Sequence, residues 1–284
     1  MAAKAGGEGG QKKPAPGPPP KSGGPIITLL TDFGARDAYV AAMKGVILGL
    51  NPRAVLVDVT HEVFAQDILA GAFILAQAAP YFPPGTIHLA VVDPGVGTGR
   101  RALAAYSRGQ FWVGPDNGLL QWAWASSPGL TVVSLTAAAY FRPQVAATFH
   151  GRDIFAAVAA HLSLGVDLTS FGPPVTDPLP LPFPAPVRDP EMIQGQIIYV
   201  DHFGNLVSNV AAAALRAWLQ SRGLLVRIGS RAISGLSSTY KDAASGEFLA
   251  LIGSHGYLEI ACNQDHAARR LGLGVGAPLA LLRS

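Results

Sequence analysis

One stretch, IHLAVVDPGVGTGRRALAAYSRGQFWVGPDNG from Ile87 to Gly118, constrains the fold more than any other part of the chain. An apolar segment, Ile87 to Val92, runs into Asp93 and Pro94, then through Gly95, Gly97 and Gly99 into Arg100 and Arg101. A short apolar run bounded by turn residues reads as a buried strand, so the chain delivers an acid at a strand end. The glycines leave backbone N–H groups uncovered and permit positive φ, which lets a ligand approach the main chain. In open α/β sheets ligands sit at the carboxyl ends of strands.

The GVGTGR segment is not a dinucleotide fingerprint. Its glycines fall at 95, 97 and 99, and Arg100 stands where G-x-G-x-x-G requires Gly or Ala. The segment from Ala102 to Tyr106 reads as a strand, so no helix N-terminus is predicted to receive a pyrophosphate.

A chain of 284 residues with 49% hydrophobic residues is long enough for one large core or two domains. The formal charge of +3 owes much to Lys4, Lys12, Lys13 and Lys21, and the remainder is close to neutral, which gives no argument for nucleic acid. A single cysteine, Cys262, excludes an internal disulfide and a cysteine-rich zinc site. Residues 1–25 are rich in Gly, Pro, Ala and Lys and read as a disordered tail without a signal-peptide core. No later run reaches the roughly 18 apolar residues of a membrane span. A cytosolic protein with no membrane partner is the expectation.

In chain order, Pro25 to Leu30 reads as a buried strand ending at Thr31-Asp32-Phe33-Gly34. A helix follows Asp37, because Val40, Met43, Ile47 and Leu50 recur at helical spacing. Asp32 thus lies at a strand tip, a common place to hold ribose hydroxyls, and Asp37 is either an N-cap or a ligand contact. Ala54 to Val59 reads as a second buried strand and Asp67 to Ala79 as a second helix. Between them Asp58, His61 and Glu62 lack metal-ligand spacing and read as a turn or cap. Phe111 to Pro115 is a further strand, Asn117-Gly118 a turn, and Leu119 to Trp124 a short helix. Asp153 to Leu164 is a clear helix; His150 lies just before its start, where partial positive charge keeps the imidazole neutral.

From Phe171 to Pro190 the chain is proline-rich and reads as a stiff crossing between domains. Beyond it, Met192 to Asp201, Leu224 to Ile228, Phe248 to Ile252, Gly256 to Ala261 and Pro278 to Leu282 read as short strands, and only Ala211 to Gln220 as helical. The prediction is an α/β domain with a mostly parallel sheet over 26–175, a linker over 176–191 and a small antiparallel β domain over 192–284. Two turns in this last part, Asp201 to Asn209 and Gly253 to Ile260, carry polar side chains that could offer an adenine an amide and a stacking ring.

The motifs TDFGARDAYVAAMKG, VDVTHE, VVDPGVGTGRR, PDNGLL, FHGRDIFA, DHFGNLVSN and GSHGYLEIA, in this order, resemble the S-adenosyl-L-methionine hydroxide adenosyltransferases, relatives of the bacterial fluorinating and chlorinating enzymes. The resemblance runs from about Ile26 to the C-terminus. It implies a seven-stranded α/β domain plus a small β-barrel, and a homotrimer with sites between subunits. It puts the water-handling set on Asp93, Arg100 and His150. It also implies that Asp32 holds the ribose, Asp201 and Ser254 the methionine end, Phe203 and Asn205 the adenine, and Tyr240 a stacking ring. Asp37 and Glu259 complete the expected substrate contacts, and relatives often carry an aromatic where this chain has Gln66.

The implied reaction is attack of water on C5′ of S-adenosyl-L-methionine, giving adenosine and L-methionine. The leaving group departs as a neutral thioether, so neither a general acid nor a metal or other cofactor is required; Arg100 stays protonated and pairs with Asp93. Either Asp93 or His150 takes the water's proton. Two other readings use the same residues: a metal-dependent phosphohydrolase with Asp32, Asp93, His150 and Asp153 as ligands, and a non-catalytic protein that binds adenosine or S-adenosyl-L-methionine.

Overall fold

The computed structural model describes residues 23–124, 129–220 and 222–283; the tail expected over 1–25 lies outside them apart from 23–25. Strand β1 (Ile26–Thr31) leads into helix α1 (Tyr39–Leu50), and β2 (Val55–Thr60) into α2 (Ile68–Ala78). Next come β3 (Ile87–Val91), β4 (Ala102–Ser107), β5 (Gln110–Pro115), the short α3 (Gln121–Trp124) and β6 (Thr131–Ser134). A wide π-helical turn, Gly151–Phe155, then passes into α4 (Ala156–Ser163).

These strands form one sheet in the order β2-β1-β3-β5-β4-β6. β2, β1, β3 and β5 are mutually parallel, while β4 and β6 are antiparallel to their neighbours. Where the resemblance implies seven strands, the described residues form six, and the seventh place is taken by a single antiparallel bridge from Val133 to Pro174. β3 is buried along its whole length and lies in the middle of the parallel set, as an unbroken apolar run requires. β2 corrects the sequence reading. It is the sheet's edge strand, with Val55 43% exposed, because among the described residues no strand pairs with its outer side.

α1 and α4 pack on one face with Met43, Ile47, Phe155 and Val158 against Leu29, Leu89 and Val113. α2 and α3 cover the other face through Leu75, Trp124, Leu119 and Trp112. Each face therefore buries its own apolar layer, which is the main stabilising term of an α/β sheet.

The second sheet contains β7 (Val187–Arg188), β8 (Met192–Val200), β9 (Leu206–Ala211), β10 (Leu224–Ile228), β11 (Arg231–Ser234), β12 (Phe248–Ile252), β13 (Tyr257–Cys262) and β14 (Pro278–Arg283). Its order is β11-β10-β14-β8-β9-β13-β12 with β7 beside β8, and every pairing is antiparallel. The ends of the sheet approach one another where Ser237 N–H donates to the Ala250 carbonyl at 2.8 Å, so the sheet curls into a nearly closed barrel. Helix α5 (Ala212–Leu219) seats Leu215 and Trp218 in this core, and a short α6 (Ala267–Leu271), which the sequence reading lacks, adds Ala267.

The two sheets meet through Phe73 of α2, whose ring lies 5.1 Å from Tyr199 of β8. The proline-rich crossing is strapped down along its length. Arg101 binds Asp177, Leu179 N–H donates to Asp116, and Trp122 donates to the Leu181 carbonyl. Among the described residues no helix is long and apolar enough to cross a membrane.

Candidate functional site

Asp93 lies one residue beyond the end of β3, and the Asn117 side-chain amide donates to the intervening Val92 carbonyl at 2.8 Å, fastening the strand end from the β5 side. The loop then turns on itself through Val96 N–H to Asp93 O and Thr98 N–H to Gly95 O. Of its three glycines, only Gly97 takes positive φ, at 77°. A methyl group there would lie 2.5 Å from the Ala147 carbonyl oxygen, so Gly97 admits the segment that leads to His150. The glycine that was expected to admit a ligand admits the chain's own backbone instead.

Arg100 returns toward Asp93: its Nε donates to Oδ1 at 2.9 Å and to Oδ2 at 3.1 Å, and its Nη2 also binds Oδ2. The same Nη2 lies 3.0 Å from His150 Nδ1. Both partners of the ion pair are buried, with side chains 9% and 5% exposed, and the guanidinium lies 5.2 Å from the Phe155 ring centroid. The three residues predicted to handle water are thus brought together.

A guanidinium only donates hydrogen bonds, so His150 Nδ1 must accept and the ring carries its proton on Nε2. Burial first, and then the Arg100 charge, lowers the His150 pKa below its ordinary value, and this outweighs the opposing pull of Asp93 and Asp153. The helix begins at Gly151, two residues earlier than predicted, with His150 in its N-terminal boundary position. π-Helical turns of this kind are frequent at functional sites.

Asp153, one of the four acids and imidazoles a metal-centre reading requires, is fully buried and engaged elsewhere. Arg152 donates to both its oxygens at 2.6 and 2.8 Å, Arg142 to Oδ1 and Ala146 N–H to Oδ2. Burial alone would raise its pKa, but these donors hold it at about 2. Among the described residues no group of three or more His, Cys, Asp or Glu side chains is placed to hold a metal ion. His61 is bound by Thr31 at 2.8 Å and lies 2.9 Å from Asp58, a brace between β1 and the chain after β2.

Asp32 stands at the tip of β1, where its Oδ2 accepts from Gln66 N–H at 2.8 Å, with Gln66 in the left-handed region at φ 67°. Asp37 is exposed; Ala38, not Asp37, holds the cap position of α1, and no side-chain cap bond is made there.

In the second sheet, Phe203, Asn205 and Tyr240 line one cavity of about 500 Å³ together with Cys262, Gln264 and Asp265. Asp201 orients this wall: its carboxylate accepts Asn205 N–H and Asn205 Nδ2, both at 2.8 Å, which leaves Asn205 Oδ1 as the free acceptor. Phe203 is 73% and Tyr240 42% exposed at the cavity lip. Ser254 lies in the exposed turn before β13, while Glu259 is buried within β13. Sequence reasoning missed Cys262, Gln264, Asp265 and also His255, which binds Glu259 at 3.0 Å. None of them stands in a pattern that separates a cavity wall from an ordinary strand end.

Fold and site define a two-sheet protein with a part-buried Asp–Arg–His cluster at the carboxyl edge of one sheet and an aromatic–amide cavity on a β-barrel. The chain belongs to the SAM hydroxide adenosyltransferase family: residues 27–172 match its N-terminal domain and residues 195–280 its C-terminal domain. It is similar to an (R)-S-adenosyl-L-methionine hydrolase of Salinispora tropica, 43% identical over 255 residues, which covers 89% of this chain and 95% of that one. The hydrolase of the same name from Thermus thermophilus is 39% identical over 264 residues, covering 90% and 99%. A fluorinase of Nocardia brasiliensis is more distant, 28% identical over 286 residues, covering 89% and 95%. Among solved structures, an uncharacterized conserved protein from Thermotoga maritima superposes with a TM-score of 0.85 at 34% identity, covering 90% of this chain and all of that one.

Proposed function

We propose that this protein hydrolyses S-adenosyl-L-methionine to adenosine and L-methionine by attack of water at C5′, and, following the names of its relatives, that it acts on the R epimer. The observation that carries the mechanism is the part-buried Asp93–Arg100–His150 cluster at the end of β3. Because Arg100 occupies His150 Nδ1, Asp93 is the group that accepts the water's proton, and His150 offers Nε2–H to the water oxygen. Arg100 remains a cation throughout and holds both partners in register.

The sulfonium leaves as a neutral thioether, so the residues need only orient a water, take its proton and exclude other solvent; no metal or cofactor enters the reaction as proposed. Asn205 Oδ1 is suited to accept from the exocyclic amine of adenine, with Phe203 and Tyr240 as flanking rings. Asp32 would hold the ribose hydroxyls and the turn at Ser254 the methionine end. Asp37 is assigned no more than an outer contact.

The exposure of Phe203 supports a site completed by a second subunit, and we extend the reading to a homotrimer. The single buried thiol, Cys262, fits a cytoplasmic setting.

Reaction in ¹⁸O-labelled water tests the chemistry. Label recovered in the 5′-hydroxyl of adenosine, in equal amount with methionine and unaffected by EDTA, is the expected result. Absence of adenosine, or its loss on chelation, would reject the reading.

A further inference from the structure

Glu259 lies inside β13 with 2% exposure, and both of its carboxylate oxygens are engaged. Tyr240 Oη donates to Oε1 at 2.9 Å, and His255 Nε2 lies 3.0 Å from Oε2. Tyr257 N–H donates to His255 Nδ1 at 3.2 Å, so that nitrogen is an acceptor and Nε2 carries the proton given to Glu259. The pair exists because residue 253 is glycine. A Cβ there would lie 2.3 Å from His255 Nε2 and 2.6 Å from Glu259 Oε2, inside any permitted contact.

The two donors come from different sides of the site. Tyr240 lines the cavity that also holds Phe203 and Asn205. His255 belongs to the turn that carries Ser254, and its ring stands edge-on to Phe73 of α2 at 6.0 Å, on the first sheet's side of the junction. A buried carboxylate is tolerated only when donors satisfy it, so neither partner can swing away without leaving one Glu259 oxygen unpaired. Burial first, then the Glu259 hydrogen bond, pushes the Tyr240 phenol up to about 12, which keeps it a donor at any working pH.

We propose that Glu259 is a positioning residue for the nucleoside cavity: it fixes the Tyr240 ring as a cavity wall and the Ser254–His255 turn against α2, and acts through these two partners. The proposal deepens the reading of this cavity as the nucleoside site and rests on it.

Glu259→Gln keeps the volume but removes the charge: its oxygen stays with the His255 Nε2–H, its amide N–H turns to Tyr240, and the phenol must accept where it now donates to a carboxylate. Loss of a hydrogen bond to a charged group corresponds to about tenfold or more in affinity. Adenosine Kd and substrate KM should therefore rise about tenfold, with kcat held within about threefold because the Asp93 cluster is untouched. Tyr240→Phe should show a similar loss, and the double variant should be no weaker than the worse single one, since both remove the same contact. Calorimetric titration with adenosine, alongside steady-state kinetics on S-adenosyl-L-methionine, measures all of these.

A wild-type protein that binds no adenosine overturns the nucleoside reading itself. A wild type that binds, with Glu259→Gln unchanged or with additive losses in the double variant, overturns the positioning role alone. Should Glu259→Gln fail to fold, Tyr240→Phe at the cavity lip decides, and unchanged affinity there overturns the role.

Discussion

Arg100 determines which nitrogen of His150 carries a proton, and this makes the cluster sensitive to acid in a definite direction. Protonating His150 would set an N–H against Nη2 of a guanidinium 3.0 Å away, a contact that holds only while Nδ1 is bare. Because its pKa is lowered, by burial and then by Arg100, the ring stays neutral as pH falls through 6.5 and charges only below that. The kcat/KM profile should accordingly hold through pH 6.5 and fall on the acid side of it; an acid limb centred at or above 6.5 would contradict this arrangement. At Gly97 the same cluster has a steric condition. Gly97→Ala places a methyl 2.5 Å from the Ala147 carbonyl, and combines that overlap with a positive φ. Thermal unfolding should show a loss of about 1–3 kcal/mol, accompanied by reduced turnover because the 147–150 segment must move.

At the scale of the element, β3 carries a second histidine with a structural role. His88 is fully buried, bound to Thr28 at 2.8 Å and stacked on Trp112 at 4.5 Å, and burial lowers its pKa to about 4. Above pH 6.5 both folded and unfolded chains hold this ring neutral. As pH falls from 6.5 to about 4 only the unfolded chain takes up a proton, so stability is lost across that window, by about 3 kcal/mol in all. Denaturant titrations at pH 7 and pH 4.5 should show the loss, and His88→Gln should reduce it. β3 was legible because Ile87 to Val92 is an apolar run with turn residues behind it. β9 was not, since Ser208 and Asn209 interrupt its apolar residues and its first four residues read as part of the turn from Asp201 to Asn209, yet both polar side chains are buried in the strand. Asn209 is satisfied inside by the Gln196 N–H and the Pro184 carbonyl, contacts that no local pattern announces. Likewise β11, RAIS, has too few apolar residues to be read as a strand; pairing with β10 makes it one.

For the whole molecule, the crossing between the sheets depends on Arg101, which neighbours the cluster but serves the architecture. Its Nε binds the buried Asp116 at 2.6 Å, and its other nitrogens bind the side chain and carbonyl of Asp177. Arg101→Met would leave Asp116 with the Leu179 N–H as its remaining donor, and should cost about 1–3 kcal/mol in thermal unfolding.

The site was legible in the same uneven way. Asp93 is visible as an acid after a buried run, but its convergence with Arg100 and His150 was reached only through the order of seven spaced motifs. The supports of the barrel cavity, Gly253 under His255 and Asp201 behind Asn205, depend on distances between turns, which spacing along the chain does not encode.

In the proposed mechanism Asp93 takes the proton of the attacking water while Arg100 and His150 hold it in place. Single-turnover hydrolysis of S-adenosyl-L-methionine by Asp93→Asn, set beside adenosine affinity measured by titration, tests it most directly. Loss of a positioned proton acceptor predicts a rate lower by about 10²–10⁴-fold, with adenosine still bound as tightly as by the wild type. Hydrolysis at the wild-type rate would contradict it.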